Sequence, residues 1–321
     1  MKRPLTLITS LILLHAIAIA DPISPRPLRK LINEAELIIQ GKVIFTGVIN
    51  TPGSVYDIDY ALIKVEAVIQ GKIHQDTLKV QFYSNLVNPE PPVYRTGEEV
   101  IAFLDKDKKN DYYNTHALSY GLKHFSDKEG IHVYKQRILE MQFINILANG
   151  REKDKAIVEW MVRCATNKYT CWEGLYELSP ESYFISDFET EFIRNESFLN
   201  TGQRHEIFDA LMNKNELTYS DIGFFDIALG INDDLMLEKL KKTMEKIKPE
   251  DPQFTVAIME RILKLTGDIK LEKLYNEYLG GFRMPSKNAS KYRTVILEQF
   301  KRNMVGVEVK RIVWGWGEDL V

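Results

Sequence analysis

The hydrophobic pattern of this chain changes its period once, near residue 135, and that change limits the folds open to the chain. From Glu36 to Tyr134, apolar residues alternate with polar ones or form short runs, as in TLKVQFY and EEVIAFL. Both patterns are typical of β-strands. Further along, apolar residues recur at the i, i+3, i+4 and i+7 spacing of amphipathic helices. One such set is Ile157, Trp160, Met161 and Cys164. We therefore predict an α+β protein with a β-rich domain followed by a helical one.

The first twenty residues have the pattern of a secretory signal peptide. Lys2 and Arg3 form a basic start, an apolar run follows, and Ala18-Ile19-Ala20 gives the small-x-small pattern that precedes a cleavage point. The apolar run is shorter than the ~20 residues of a transmembrane helix, although a retained N-terminal anchor is the alternative. We predict cleavage after Ala20 and a secreted or periplasmic protein.

The charge balance argues against a nucleic-acid partner. The whole chain has a formal net charge of −3. Loss of residues 1–20 removes Lys2 and Arg3 and no acids, which leaves 40 basic against 45 acidic residues, a net charge of −5. A protein that binds nucleic acid needs a basic face to neutralise phosphates. No later segment is apolar enough to suggest a membrane span in the mature chain.

Segments of the β-rich part predict five or six short strands without intervening helices. The candidates are ELIIQGKVIF, broken at Gly41, then YDIDYALIKVEAVIQ, TLKVQFY, EEVIAFL, DYYNTHALSY and GIHVYKQ. In the second segment the apolar positions change parity between Leu62 and Ile63, which indicates a β-bulge or a strand buried on both faces. This set of strands favours a small Greek-key barrel of the OB type over residues 21–140.

The order of four of these pieces resembles a known group of proteins. AELIIQGKV, VEAVIQGK, TGEEVIAFL and YGL, spread over about residues 30–135, are similar to segments of exported bacterial proteins with an OB-like, netrin-module-like barrel. That barrel is similar to the barrel of the tissue inhibitors of metalloproteinases. In the inhibitors an N-terminal Cys chelates the zinc of the target, whereas this mature chain would begin at Asp21-Pro22 and has no Cys before Cys164. The resemblance therefore implies the fold and not the inhibitory mechanism.

Residues 141–306 predict amphipathic helices joined by short loops. They favour a HEAT-like α-solenoid or an irregular bundle, and no repeat period identifies a repeat family. In the tail, residues 307–321, alternation predicts a last strand that pairs with the barrel edge. Trp314 and Trp316 flank Gly315 there, and they either bind a partner or pack between the two domains.

The two cysteines of the chain, Cys164 and Cys171, are predicted to form a disulfide because exported thiols commonly pair. A continuous helix would separate their Cα atoms by ~10 Å, beyond the ~7 Å limit of a disulfide. The bridge therefore requires a turn within ATNKYT. Two buried thiols are the alternative.

Four sequence patterns are candidate metal sites. His205 and Glu206 begin a zinc-protease motif, but Asp209 stands where its second His belongs. His116, His124 and His132 recur every eight residues and would form a zinc set if their strands aligned. Asp105 and Asp107 have calcium-loop spacing without the required glycine, and Asp57 and Asp59 share a strand face. In each case a solvated or half-buried structural role is favoured, and no cofactor is expected.

Motifs for nucleophilic or nucleotide chemistry are absent from the sequence: it has no Gly-x-Ser-x-Gly elbow, P-loop or dinucleotide fingerprint. We predict an exported, non-catalytic binding protein whose partner is another exported or envelope protein. The alternatives are an envelope hydrolase that uses carboxylates or a histidine-bound metal, and a module that binds glycans on the barrel face.

Overall fold

A computed structural model of the protein describes residues 25–49, 58–84, 90–178 and 199–310. The chain divides into two compact units, Met1–Leu147 and Ala148–Val321. The first unit consists of α1 (Leu28–Glu34), β1 (Leu37–Ile49), β2 (Ile58–Gln70), β3 (Thr77–Phe82), β4 (Glu99–Lys106), β5 (Tyr113–Thr115), a 3-10 turn (Leu118–Gly121), β6 (Leu122–His124) and α2 (Lys128–Asn145). Among the described residues, no helix has both the length and the apolar character needed to cross a bilayer.

Five strands of the first unit form a closed barrel. Their order is β1-β2-β3-β5-β4, and β4 pairs back onto β1, from Leu37 opposite Leu104 to Lys42 opposite Glu99. The β3–β5 pair is parallel and the other pairs are antiparallel, while β6 pairs with residues 100–102 of β4, farther along the edge that β5 occupies. This closed barrel fits the OB fold and, with the helices that follow, confirms the predicted α+β class.

Bulges let the two longest strands bend around the barrel. Ile44 is the extra residue of β1, between the pairs Val43–Ile63 and Phe45–Leu62, and β2 has its own irregularities nearer its end. The strand also continues through Gly41, where the sequence suggested a break. A Cβ at Gly41 would lie 2.7 Å from Ile63 Cγ2, so only glycine lets β2 approach so closely here.

The bulge predicted at Leu62 and Ile63 is present at this point of the register, but its extra residue is Ile44 of β1 and not a residue of β2. Ala61 and Ile63 both point into the barrel core, while Tyr60 and Leu62 alternate with them on the outside. The apolar residues that suggested a bulge are therefore on the outer surface of the barrel.

The segment GIHVYKQ is helical and not the predicted strand. It belongs to α2, which Asp127 caps by accepting a hydrogen bond from Gly130 N at 2.8 Å. The buried residues of this helix include Ile131, Tyr134, Ile138 and Met141, whose spacing of three or four is that of one helix face. Asn145 Nδ2 donates to Asn33 Oδ1 at 2.7 Å, so the first unit extends beyond the boundary at residue 140 that the sequence suggested.

The second unit is helical. Its helices are α3 (Arg151–Ala165), α4 (Cys171–Leu178), α5 (Thr201–Asn213), α6 (Ile222–Ala228), α7 (Asp233–Lys246), α8 (Pro252–Thr266), α9 (Ile269–Gly280) and α10 (Ser286–Asn303). Neighbours in sequence pack as pairs: α3 with α4, α5 with α6, α7 with α8, and α9 with α10. The HEAT-like geometry stays a prediction.

The start of the C-terminal tail lies along helices of the second unit. Residues 307–310 form no strand, and Lys310 N donates to Leu265 O at 3.0 Å while Lys241 Nζ donates to Val307 O at 2.6 Å. The strand predicted for the rest of the tail, with Trp314 and Trp316, lies outside the described residues.

Replacement of Gly174 by Ala tests the closest helix packing in the second unit. A Cβ there would lie 2.3 Å from Met161 O and 2.4 Å from Ala165 N, both backbone atoms of α3. We expect Gly174→Ala to lower the free energy of unfolding by about 1–3 kcal/mol, because the two helices must separate. Denaturant unfolding measures this loss. Gly280→Ala, where a Cβ meets nothing within 4 Å, is the control and should leave stability unchanged or slightly raised. Equal stability of both variants would contradict the tight packing.

Candidate functional site

The structure does not bring together the three histidines that the sequence offered as a possible zinc set. His116 contacts Asp105 and Glu34, His124 Nδ1 lies 2.8 Å from Glu98 Oε2, and His132 is on α2. Within the described ranges, no group of three or more His, Cys, Asp or Glu side chains has a geometry that could hold a metal ion.

The other residues considered as metal ligands and described by the structure serve local structure. His205 is on α5 with Asp209, and its Nδ1 donates to Thr201 O at 2.8 Å. Asp107 accepts bonds from the backbone of its own turn, Lys109 N at 2.9 Å and Asn110 N at 2.8 Å. Asp59 is buried in the barrel, where it accepts from Ser84 N at 2.8 Å, and Asp57 lies outside the described residues.

Cys164 and Cys171 are two buried thiols in the structure, so the predicted disulfide is not formed. The chain does turn between them, because Asn167 N donates to Cys164 O at 3.1 Å. The Cys171 thiol instead donates to Asp221 Oδ1 at 3.5 Å. Burial raises the pKa of Cys171 to about 12, and Lys214 only partly opposes this. Such a thiol is a poor nucleophile at neutral pH.

The outer surface of β1, β2 and β3 forms the best-defined exposed site of the barrel. We call it the outer face. It consists of Phe45, Tyr60, Leu62, Lys79 and Gln81. The strand register aligns these residues, since Phe45 is opposite Leu62, Leu62 is opposite Lys79, and Tyr60 is opposite Gln81.

Gly47 allows two aromatic rings to meet on the outer face. The ring centroids of Phe45 and Tyr60 are 5.8 Å apart. A Cβ at Gly47 would lie 2.8 Å from Phe45 Cε1 and 2.9 Å from Tyr60 Cε1, so a larger residue would push the rings apart. On the other side, Lys79 Nζ lies 4.7 Å from the Tyr60 centroid, in cation–π contact with that ring.

The bulge in β1 adds a second apolar side chain beside the aromatic pair. Ile44 is 44% exposed and Phe45 is 47% exposed. Two consecutive large apolar residues on the solvent side of a barrel strand break the usual apolar-in, polar-out alternation. Exposed apolar surface rimmed by polar residues is typical of an interaction site.

Lysines border this apolar surface. Lys42 and Lys64 are directly opposite each other across β1 and β2, although like charges in that position destabilise a sheet. Lys79 adds a third positive charge on β3. Glu99, which is opposite Lys42 on the β4 side, is the acid nearest to this pair in the register.

A second cluster joins α1 to the barrel through His116. The His116 Nδ1 lies 2.7 Å from Asp105 Oδ2, and its Nε2 lies 3.1 Å from Glu34 Oε2. Arg26 Nε also contacts Glu34 Oε2, at 3.1 Å. Because a carboxylate faces each ring nitrogen, both bonds form only when both nitrogens carry hydrogen, that is, in the imidazolium.

The charges of this cluster stabilise one another. The hydrogen bond with Asp105 raises the pKa of His116, and burial opposes the shift. Burial acts to raise the pKa of Asp105, but the bond from His116 and its positive charge outweigh burial and lower that pKa.

The chain just after His116 has an unusual backbone. Ala117 and Leu118 both have left-handed conformations, with φ of 51° and 54°. Next to them, a Cβ at Gly121 would lie 1.9 Å from His116 O. Such backbone costs about 1–3 kcal/mol per residue and persists only where surrounding contacts hold it. The bonds of the His116 ring to α1 and β4 occupy both ring nitrogens. Together with the backbone bonds from His116 N to Phe103 O and from Ser119 N to Glu90 O, they hold this turn.

Comparisons with known proteins give no guide to the function of the outer face or of the His116 cluster, so both are interpreted from their geometry. No family model matches the chain, and no curated protein is similar to it.

Replacement of His116 tests the charged cluster. The raised pKa means that its stabilisation is complete below the ordinary pKa of His and is lost as pH rises through the folded-state pKa. Wild-type stability should therefore fall as pH rises from the ordinary pKa of His, about 6.5, through the higher folded-state pKa, and His116→Gln should remove that part of the pH dependence. We expect the variant to lose about 1–3 kcal/mol at the acidic end. Denaturant unfolding across this pH range provides the measurement.

His124→Gln is the matched control, since that ring faces one carboxylate, Glu98, and not two. It should keep the wild-type pH profile. An unchanged profile in His116→Gln would show that His116 is not the group responsible.

Proposed function

We propose that this protein is exported and acts as a non-catalytic binding protein whose barrel binds another exported or envelope protein. The observation that carries the proposal is the exposure of Ile44 and Phe45 beside Tyr60 on the outer face. Aromatic side chains in a tightly packed setting are the usual anchors of protein interfaces. The outer face has one such pair, held in place by Gly47.

The lysines around the outer face indicate the chemistry of the partner. Lys42, Lys64 and Lys79 surround apolar side chains, so the complementary surface is apolar at its centre and acidic at its edge. Pairing with acidic groups would also relieve the repulsion between Lys42 and Lys64.

Two observations favour binding over hydrolysis. Both ring nitrogens of His116 already face carboxylates, so the imidazole has no nitrogen left to act as a base. The raised pKa of Cys171 makes it unreactive. A glycan partner is less well supported, because Lys79 covers one face of the Tyr60 ring on which a sugar would stack.

The strand order and the sequence segments AELIIQGKV, VEAVIQGK and TGEEVIAFL support a further proposal of kinship with netrin-module-like barrels. The zinc-chelating N-terminal Cys of the metalloproteinase inhibitors has no counterpart here, because the first cysteine is Cys164. Binding through the outer face would therefore differ from the inhibitory mode.

Capture of the partner tests the outer face. Mature protein is cross-linked in envelope extracts, the captured protein is purified, and its affinity is measured for the wild type and for Phe45→Ser. We expect saturable wild-type binding that weakens at least about tenfold in the variant, as for an anchor residue. Ile269→Ser is the control, since it replaces an apolar side chain that is 80% exposed on α9. Equal affinities of wild type and Phe45→Ser, or selective retention of glycans, would contradict the proposal.

Export has its own test. When the full chain is expressed in a bacterial host, the mass of the mature protein should correspond to a start at Asp21, because signal peptidase cleaves after a small-x-small site. Replacement of Ala18 and Ala20 by Leu should block cleavage. A wild-type protein that keeps residues 1–20 and fractionates with membranes would instead support an N-terminal anchor.

A further inference from the structure

The second unit contains a cavity of about 500 Å³ beside α7, which we call the lysine cavity. Lys239, Lys242 and Lys246 of α7 line it together with Lys248. Leu217, Ile247 and Phe254 form its apolar walls. The volume lies within the range of about 300–1,000 Å³ that small-molecule sites occupy.

Three of these lysines are on one side of a single helix. Lys239, Lys242 and Lys246 follow the i, i+3, i+7 spacing, which stacks side chains along one face. Like charges at this spacing destabilise a helix. Burial lowers the pKa of Lys239, and the positive charges of Lys246, Lys242 and Lys214 lower it further.

Backbone carbonyls account for part of this arrangement. Lys239 Nζ donates to Met212 O at 3.2 Å and also to Lys214 O, and Lys246 Nζ approaches Asn215 O at 3.5 Å. These carbonyls belong to the end of α5 and the residues just after it, where cations are favoured. In the part of the chain that the structure describes, Lys242 has neither a hydrogen-bond nor an ion-pair partner. The carbonyls at the end of α5 therefore account for the positions of Lys239 and Lys246. Lys242 lines the cavity without such a partner in the described residues.

Acidic side chains of the lining do not cancel this charge. Asp251 accepts a hydrogen bond from Phe254 N at 3.1 Å and so caps α8. Glu216 and Glu245 also line the cavity, so the lining has four lysines against three acids and a net positive charge. Lys214 adds nothing to the excess, because its Nζ is paired with Asp221 Oδ1 at 2.5 Å.

We propose that the lysine cavity is a binding site for an oxyanion, a carboxylate or a phosphate, carried on a small apolar body. Lys242 and Lys246 would bind the oxyanion, and Lys239, which precedes them on α7, would add a third positive charge. Phe254, Ile247 and Leu217 would cover the apolar part. This site is in the helical unit and is independent of the partner proposed for the outer face.

Benzoate and phenyl phosphate are suitable probes, since they share an apolar ring and differ in the oxyanion. Benzyl alcohol is the uncharged control. The full mature chain is titrated with each at low ionic strength, and binding is followed by the NMR shifts of the lysine Cε–Hε groups. We expect saturable binding of at least one anion, weakened by added salt, with an upward shift in the pKa of Lys239 on binding. Comparison of the two anions identifies which oxyanion the cavity prefers.

Lys242→Gln is the decisive variant, because its exposed side chain has no structural partner in the described residues and its loss should leave the fold intact. We expect it to weaken anion binding about tenfold. Lys291→Gln on α10 is the matched control, with the same loss of charge on another exposed helix position, and should bind like the wild type. The proposal is overturned if neither anion binds saturably, if benzyl alcohol binds equally well, or if both variants bind alike.

Discussion

The pairing of β1 with β4 closes the barrel, and the rest of the first unit depends on it. Over residues 38–42, β1 pairs on both edges, with β2 and with β4. Closure covers the edges that β1 and β4 would otherwise expose along their paired residues, and it buries a continuous set of side chains inside. That core includes Leu37, Ile39, Val43, Ala61, Ile63, Leu78, Val80, Val100, Ala102 and Leu104. Because side chains fill the interior, a ligand can meet this barrel only from outside.

The same closure shapes the proposed interaction site. A sheet that closes into a barrel must bend strongly, and β1 does so with a bulge at Ile44. The extra residue brings a second large apolar side chain into solvent next to Phe45. Gly41 permits the close approach of β2 on the inside, and Gly47 permits the contact of the Phe45 and Tyr60 rings on the outside. The apolar surface is therefore a consequence of how the barrel bends.

The sequence predicts a β-rich part followed by a helical part because the spacing of apolar residues, every second residue in strands and about every 3.6 residues in helices, can be read from short segments. It does not predict the outer face, because Tyr60 and Leu62 are as apolar as their inward neighbours, and apolar character does not tell which side of a strand is inside. The alternation of GIHVYKQ also predicted a strand wrongly. This segment is helical, because Asp127 caps the helix and the buried residues from Ile131 onward have helical spacing. The His116 cluster joins residues 82 positions apart, so no local pattern reveals it. The lysines of α7 are visible in the sequence but resemble any solvated helix face until α5 is placed beside them.

Net charge and local charge have opposite signs in this protein, and distance decides which of them a partner experiences. The whole chain carries −3. Yet lysines border the outer face and line the cavity of the second unit. At physiological ionic strength charges are screened beyond about 8 Å, so an acidic group a few ångströms from Lys42 and Lys64 interacts with those lysines and little with the distant acids. At low salt the acids act over longer distances and oppose the approach of the same group. Moderate salt should therefore help an acidic partner to approach while it weakens the final contacts, and the partly buried Lys239 should be screened least.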